Sequence, residues 1–165
     1  MQIVFVRVWD NFLSKEYLFM ETLSNLSSRL DELMREKEIG TQELAAKVKI
    51  DQSVIARILR AQRMPSARTL VALADYFRCS ADYLLGRKEL PDEHDFLQRP
   101  PFPERLAFLL THFKTTKYRL TKETHLTEEP IRRWQSGRFE PTTESLIRLA
   151  DYFGCSVDFI LGREN

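Results

Sequence analysis

Shifting the sequence by 76 residues lays one stretch of it upon another without a gap. Asp75-Tyr76-Phe77 falls on Asp151-Tyr152-Phe153, Arg29-Leu30 on Arg105-Leu106, Pro65 on Pro141, and Leu85-Gly86-Arg87 on Leu161-Gly162-Arg163. Across the 60 positions from 29 to 88 the two stretches share 19 identities, against roughly one match in seventeen expected from ordinary composition. A duplication this clear means that the chain must fold as two copies of one small unit. Each copy is about 60 residues, near the lower limit for a core that folds alone.

Within a copy the apolar residues recur at helical spacing. Leu26, Leu30, Leu33 and Met34 mark a first helix, broken at Ile39-Gly40, and Leu44 with Val48 marks a second. Asp51 can cap a third helix with an inner face of Ile55, Ile58 and Leu59. Leu70, Leu73, Ala74 and Phe77 stripe a fourth, and Ser80 can cap a brief fifth ending near Gly86. The second copy repeats the pattern with Leu106, Leu109 and Leu110, then Leu120, then Ile131 and Trp134, then Leu146, Leu149, Ala150 and Phe153. Only five glycines in 165 residues suit helices joined by short turns. The fold class is all-α, with five short helices per copy.

The boundaries follow. Residues 1–23 precede the first unit as an N-terminal extension, and Met20 offers an alternative start to Met1 that would leave residues 1–19 outside the fold. The first domain covers 24–88. Residues 89–103, with Pro91, Pro100, Pro101, Pro103 and an acidic cluster, form a linker. The second domain covers 104–165. The chain's formal net charge of +1 is uninformative, but its distribution is not: residues 29–88 carry +4, residues 105–164 carry +2, and residues 89–104 carry −4. Two mildly basic units flank an acidic connector. Cys79 and Cys155 are too few for a disulfide framework and have no metal-ligand spacing around them, so both are expected to be buried and unpaired in a reducing compartment. No stretch reaches the length of a membrane span, and the apolar opening at residues 3–9 is too short for a signal peptide and broken by Arg7.

The second and third helices are separated only by Lys49-Ile50-Asp51 in the first copy and His125-Leu126-Thr127 in the second. So tight a turn makes a helix-turn-helix, which inserts the first turn of its second helix into a major groove. Gln52, Ser53 and Arg57 stand there in the first copy. Glutamine can pair bidentately with adenine and arginine with guanine, and residues 53 and 57 share a face. The plain alternative is a set of solvated polar positions on a surface helix.

Further residues carry a resemblance. Thr41-Gln42-Glu43-Leu44-Ala45 opens helix two, Asp51-Gln52-Ser53-Val54-Ile55 opens helix three, and Pro65-Ser66 precedes helix four. The tails run LADYFRCSADYLLGR from Leu73 and LADYFGCSVDFILGR from Leu149, and the second copy adds Trp134-Gln135-Ser136-Gly137-Arg138. In these features the chain resembles the phage repressor/Cro-like helix-turn-helix family, over about three quarters of its length. The resemblance implies two tandem five-helix repressor-like domains that bind duplex DNA. It also implies that Gln42, beside Thr41, braces the DNA backbone while the first residues of helix three read bases. Copy one keeps Gln42, Gln52, Ser53 and Arg57 but has Ala61 where the family often places a glycine. Copy two has that glycine, Gly137, yet carries Tyr118 in the bracing place and Glu128 and Glu129 in the reading place. Two carboxylates facing a polyanion are unfavourable unless they accept from cytosine amino groups or are offset by Arg132, Arg133 and Arg138, which are themselves candidate DNA contacts forming a phosphate-binding edge.

The three histidines, His94, His112 and His125, are scattered. There is no metal cluster, no glycine-rich phosphate loop and no nucleophile motif, so neither an enzyme nor a cofactor is expected. The expectation is a cytoplasmic, sequence-specific regulator of transcription, a repressor acting sterically. Helix three of copy one lies in the groove, with Arg60, Gln62 and Arg63 on nearby phosphates. The rival reading makes copy two a protein-interaction module, used for homodimerisation or for a protein partner as in an antitoxin or antirepressor. The acidic pair favours that rival for copy two.

Overall fold

A computed structural model describes residues 2–92, 95–124 and 126–165. Glu93 of the acidic connector, His94 and His125 lie outside the described residues, as does Met1. Ten helices run in order: α1 (Gln2–Glu36), α2 (Thr41–Val48), α3 (Gln52–Leu59), α4 (Ala67–Phe77), α5 (Ala81–Leu84), α6 (Phe102–His112), α7 (Lys117–Thr124), α8 (Glu128–Gln135), α9 (Thr143–Phe153) and α10 (Val157–Leu161). No strand occurs among the described residues. Helices α6–α10 repeat the order and lengths of α1–α5 closely, except that α1 is much longer than α6.

The reason for that length is local. Neither glycine nor proline stands between residues 2 and 39, so nothing stops the helix before Gly40. Its packed part begins before residue 24, since Thr22 and Leu23 are already buried. The second unit likewise starts earlier than the proline-rich sequence suggests. Phe102 opens α6 with Pro103 in the first turn, where a missing N–H costs nothing. Phe102 is buried with its ring edge-on to Trp134, centroids 5.8 Å apart.

The core is built from the stripes that the spacing predicts. Leu26, Leu30, Leu44, Ile55, Ile58, Leu70 and Leu73 are fully buried, as are Leu106, Leu109, Leu120, Leu146 and Leu149. Leu33, Val48 and Leu59 are half-buried at its rim. Arg29 and Arg105, equivalent under the 76-residue shift, lie over the equivalent rings of Tyr83 and Phe159 at 4.5 and 4.6 Å. These two cations are structural. Cys79 is buried and Cys155 only half-buried, and both are free. Burial raises the Cys79 thiol to about 12 and the Cys155 thiol to about 11.

The two units meet through equivalent residues. Asp82 Oδ2 accepts from the backbone N–H of Val157 at 2.7 Å, and Asp158 Oδ2 accepts from that of Ala81 at 2.7 Å. Each carboxylate thus caps the short helix of the other unit. Arg87 donates to Asp82 in its own unit and to Asp151 across the interface, at 3.0 and 2.8 Å. Arg163 donates to Asp158 in its own unit and, at 2.7 Å, to Asp75 across the interface. Ser66 and Thr142, equivalent once more, form an antiparallel backbone bridge, and α5 packs on α10 as α4 does on α9. Reciprocal contacts of this kind, i to j and j to i, are the mark of a two-fold interface. Here it is internal to one chain. Burial raises the Asp158 carboxyl to about 6, with Arg163 opposing the rise.

Candidate nucleic-acid interface

The turn between α2 and α3 sets the site. Lys49 closes α2 in the left-handed region at φ 55, and Ile50 N–H returns to Ala45 O at 3.0 Å, satisfying a carbonyl left over at the helix end. Asp51 then turns extended at φ −61, ψ 135, and its carboxylate accepts from Ser53 N–H at 2.7 Å, capping α3. Hydrogen bonds from Ser53 hold that carboxyl below its usual range. On the inner side, Ile55 and Ile58 are fully buried. Ser27 Oγ on α1 donates to Leu59 O at 2.6 Å, tying down the far end of α3. The outer face is therefore held rigidly by the core behind it.

On that face Gln52, Ser53 and Arg57 are exposed, with Gln42 exposed and Thr41 half-buried at the start of α2. Arg60, Gln62 and Arg63 follow, all exposed. Gln62 N–H donates to Arg57 O at 2.9 Å, which turns the chain sharply after the helix. The structure thus brings all eight candidates of the first unit onto α2, α3 and the loop behind them. The left-handed position in that loop belongs to Ala61 at φ 52, and its counterpart in the second unit is Gly137 at φ 68.

In the second unit α8 presents Glu128, Glu129, Arg132 and Arg133, all exposed, with Arg138 exposed in the following loop. Glu129 accepts from Arg132 and, at 2.8 Å, from Arg133. The two guanidiniums hold its carboxyl below the usual range. For Glu129 the offset is thus supplied within the helix itself. Arg133 occupies the place of Arg57 and also lies 5.0 Å over the Phe139 ring, which stands where the first unit has Arg63. Behind Glu128 and Glu129 a groove between α7 and α8 is lined by Lys117, Tyr118, Thr121 and Gln135. Sequence reasoning missed Lys117 and Arg119, exposed cations in the first turn of α7. The 76-residue shift places them opposite Thr41 and Glu43 and is the signal that finds them.

No group of residues suited to hold a metal ion occurs among the described residues, and no described helix is long and apolar enough to cross a membrane. Residues 32–84 match the family model described as helix-turn-helix, so the first unit carries a helix-turn-helix domain. An uncharacterized HTH-type transcriptional regulator of Rickettsia prowazekii (strain Madrid E) is 26% identical over 85 residues, which are 49% of this chain and 92% of that protein. A second, from Rickettsia conorii (strain ATCC VR-613 / Malish 7), is 26% identical over 85 residues, 49% of this chain and 78% of that protein. No solved structure matches the chain significantly. These likenesses support a DNA-binding regulator of transcription.

Proposed function

We propose that the chain is a cytoplasmic, sequence-specific repressor that sets α3 of its first unit into the major groove of duplex DNA. The observation that carries this reading is the cluster of Gln52, Ser53 and Arg57 on the outer face of a short capped helix, with helix-turn-helix geometry behind it. Gln52 and Arg57 supply the planar donors and acceptors that read adenine and guanine. Thr41 and Gln42 brace the backbone from α2, and Arg60, Gln62 and Arg63 lie against phosphates, fixing register without reading sequence. Repression is steric: the bound protein occupies the site that the transcription machinery needs. No catalytic step, metal or cofactor enters the mechanism.

Selection of binding duplexes from a randomised pool with the full chain tests the reading. Gln52→Ala should relax preference at one base pair, with about 1–3 kcal/mol of discrimination lost there. Arg63→Ala should weaken binding to all duplexes alike and lower the salt slope by about one unit. If Gln52→Ala and Arg57→Ala both leave affinity and preference unchanged, α3 does not read bases.

A further inference from the structure

We infer that α8 is a second reading helix of different base preference, so that a single chain occupies an asymmetric DNA site of two unlike half-sites. This rests on the reading of α3 given above and extends it to the second unit.

The internal two-fold axis carries the inference. Ser66 and Thr142 pair with each other, so the axis passes between them. The reciprocal caps of Asp82 and Asp158 show that the same rotation relates α5 to α10. A two-fold rotation preserves height along its axis. Helices α3 and α8, equivalent in the repeat, therefore stand level on either side of it, their outer faces exchanged by the rotation. Duplex DNA has local two-fold axes perpendicular to its length, and helix-turn-helix pairs use them by setting reading helices into the groove about one helical turn apart, or a multiple of it. Two such helices on one chain stand in the symmetry relation that a pair of half-sites requires, without a second copy.

The surfaces they present are not alike. The pairing elements hold the repeat at its most identical: Asp75, Ser80, Asp82 and Arg87 all recur as Asp151, Ser156, Asp158 and Arg163. The reading faces have diverged: Gln52 and Ser53 stand opposite Glu128 and Glu129, and of the exposed readers only Arg57 recurs, as Arg133. An isologous interface needs the same residues on both sides. Reading heads that face different base pairs do not. Glu129 is already neutralised by Arg132 and Arg133, and an exposed Glu128 can accept from a cytosine amino group while Arg133 donates to guanine. The second half-site should accordingly favour G·C pairs. The surface of α10 that would serve for pairing with another copy is taken up by the first unit.

The experiment uses the full chain and the duplex it selects from a randomised pool. Native mass spectrometry should give one chain per duplex, and footprinting should protect two dissimilar half-sites on one face. Inserting five base pairs between them rotates one half-site to the far side and should lower affinity about 10²-fold or more, since linked heads lose their joint advantage when geometry forbids both. Arg133→Ala and Glu128→Ala should each change preference in the second half-site alone; both side chains are exposed, and an unchanged unfolding transition checks that the variants fold. Protection of one half-site, with α8 substitutions and the insertion without effect, overturns the inference while leaving α3 as a reader. Two chains on a palindrome also overturn it. Loss of all effect from Gln52→Ala and Arg57→Ala instead defeats the reading of α3.

Discussion

At the scale of single residues, the loop behind α3 carries a cost that its counterpart avoids. Ala61 sits at φ 52 where Gly137 sits at φ 68. The left-handed region costs an L-residue with a Cβ about 1–2 kcal/mol, partly offset because glycine loses more backbone freedom on folding. Ala61→Gly should therefore stabilise the chain by about 0.5–1 kcal/mol, read as a raised denaturation midpoint, while Gly137→Ala should destabilise it. A lowered midpoint for Ala61→Gly, or a raised one for Gly137→Ala, would show that the loop is not strained at this position. The cysteines give a second contrast. Cys79 is 2% exposed and its thiol is raised to about 12, whereas Cys155 is half-buried and raised to about 11. Thiolate is the reactive form, so alkylation of the native protein at pH 8 should modify Cys155 first; parity between the two would argue against this difference in burial. Periodicity shows that both cysteines lie beside core residues, and both are free. It does not show that the half-exposed one is Cys155, because its cover depends on contacts between elements far apart in the chain.

At the scale of helices, capping separates the two candidate readers. Asp51 caps α3 through Ser53 N–H, whereas Thr127 makes no side-chain cap bond to α8. Asp51→Ala should lower stability measurably, and Thr127→Ala clearly less, by denaturant unfolding of the two variants. A Thr127→Ala loss matching that of Asp51→Ala would contradict the uncapped geometry. The cap was legible in sequence because an aspartate preceding Gln52 and an apolar i, i+3, i+4 face is a local signal. So were the breaks at Gly40 and Pro65. The start of α6 was not. Three prolines at 100, 101 and 103 read as linker, but the bulk of Phe102 against Trp134 draws the chain into the core and lets Pro103 fall in the first turn. The extent of α1 was also illegible, since helix-breaking residues mark ends and their absence upstream marks nothing.

At the scale of the whole molecule, two units are held by four carboxylates and two arginines arranged about an axis. The duplication was plain in the sequence. Its self-pairing was not, because an aspartate at the second position of a short helix signals nothing until the other copy's helix N-terminus is seen above it. Asp82 accepts from Val157 N–H at 2.7 Å and Asp158 N–H at 3.3 Å, and takes Arg87 on its other oxygen at 3.0 Å. Truncating it leaves two buried N–H groups without their acceptor and takes from Arg87 one of its two carboxylates. Breaking a buried pair from one side costs about 3–5 kcal/mol, whereas the exposed Asp31–Arg35 pair on α1 should give under about 1 kcal/mol. Asp82→Ala and Asp158→Ala are therefore expected to lower stability by similar large amounts, and Asp31→Ala hardly at all. Asp82→Asn keeps one acceptor for the N–H groups but not the charge for Arg87, and should fall between. Because the two carboxylates act across one interface, the double variant should lose less than the two single losses added together. Strict additivity in that cycle, or a loss from Asp82→Ala no larger than that from Asp31→Ala, would mean that the units are not joined through this pair. A level, two-headed surface would then have no axis to hold it.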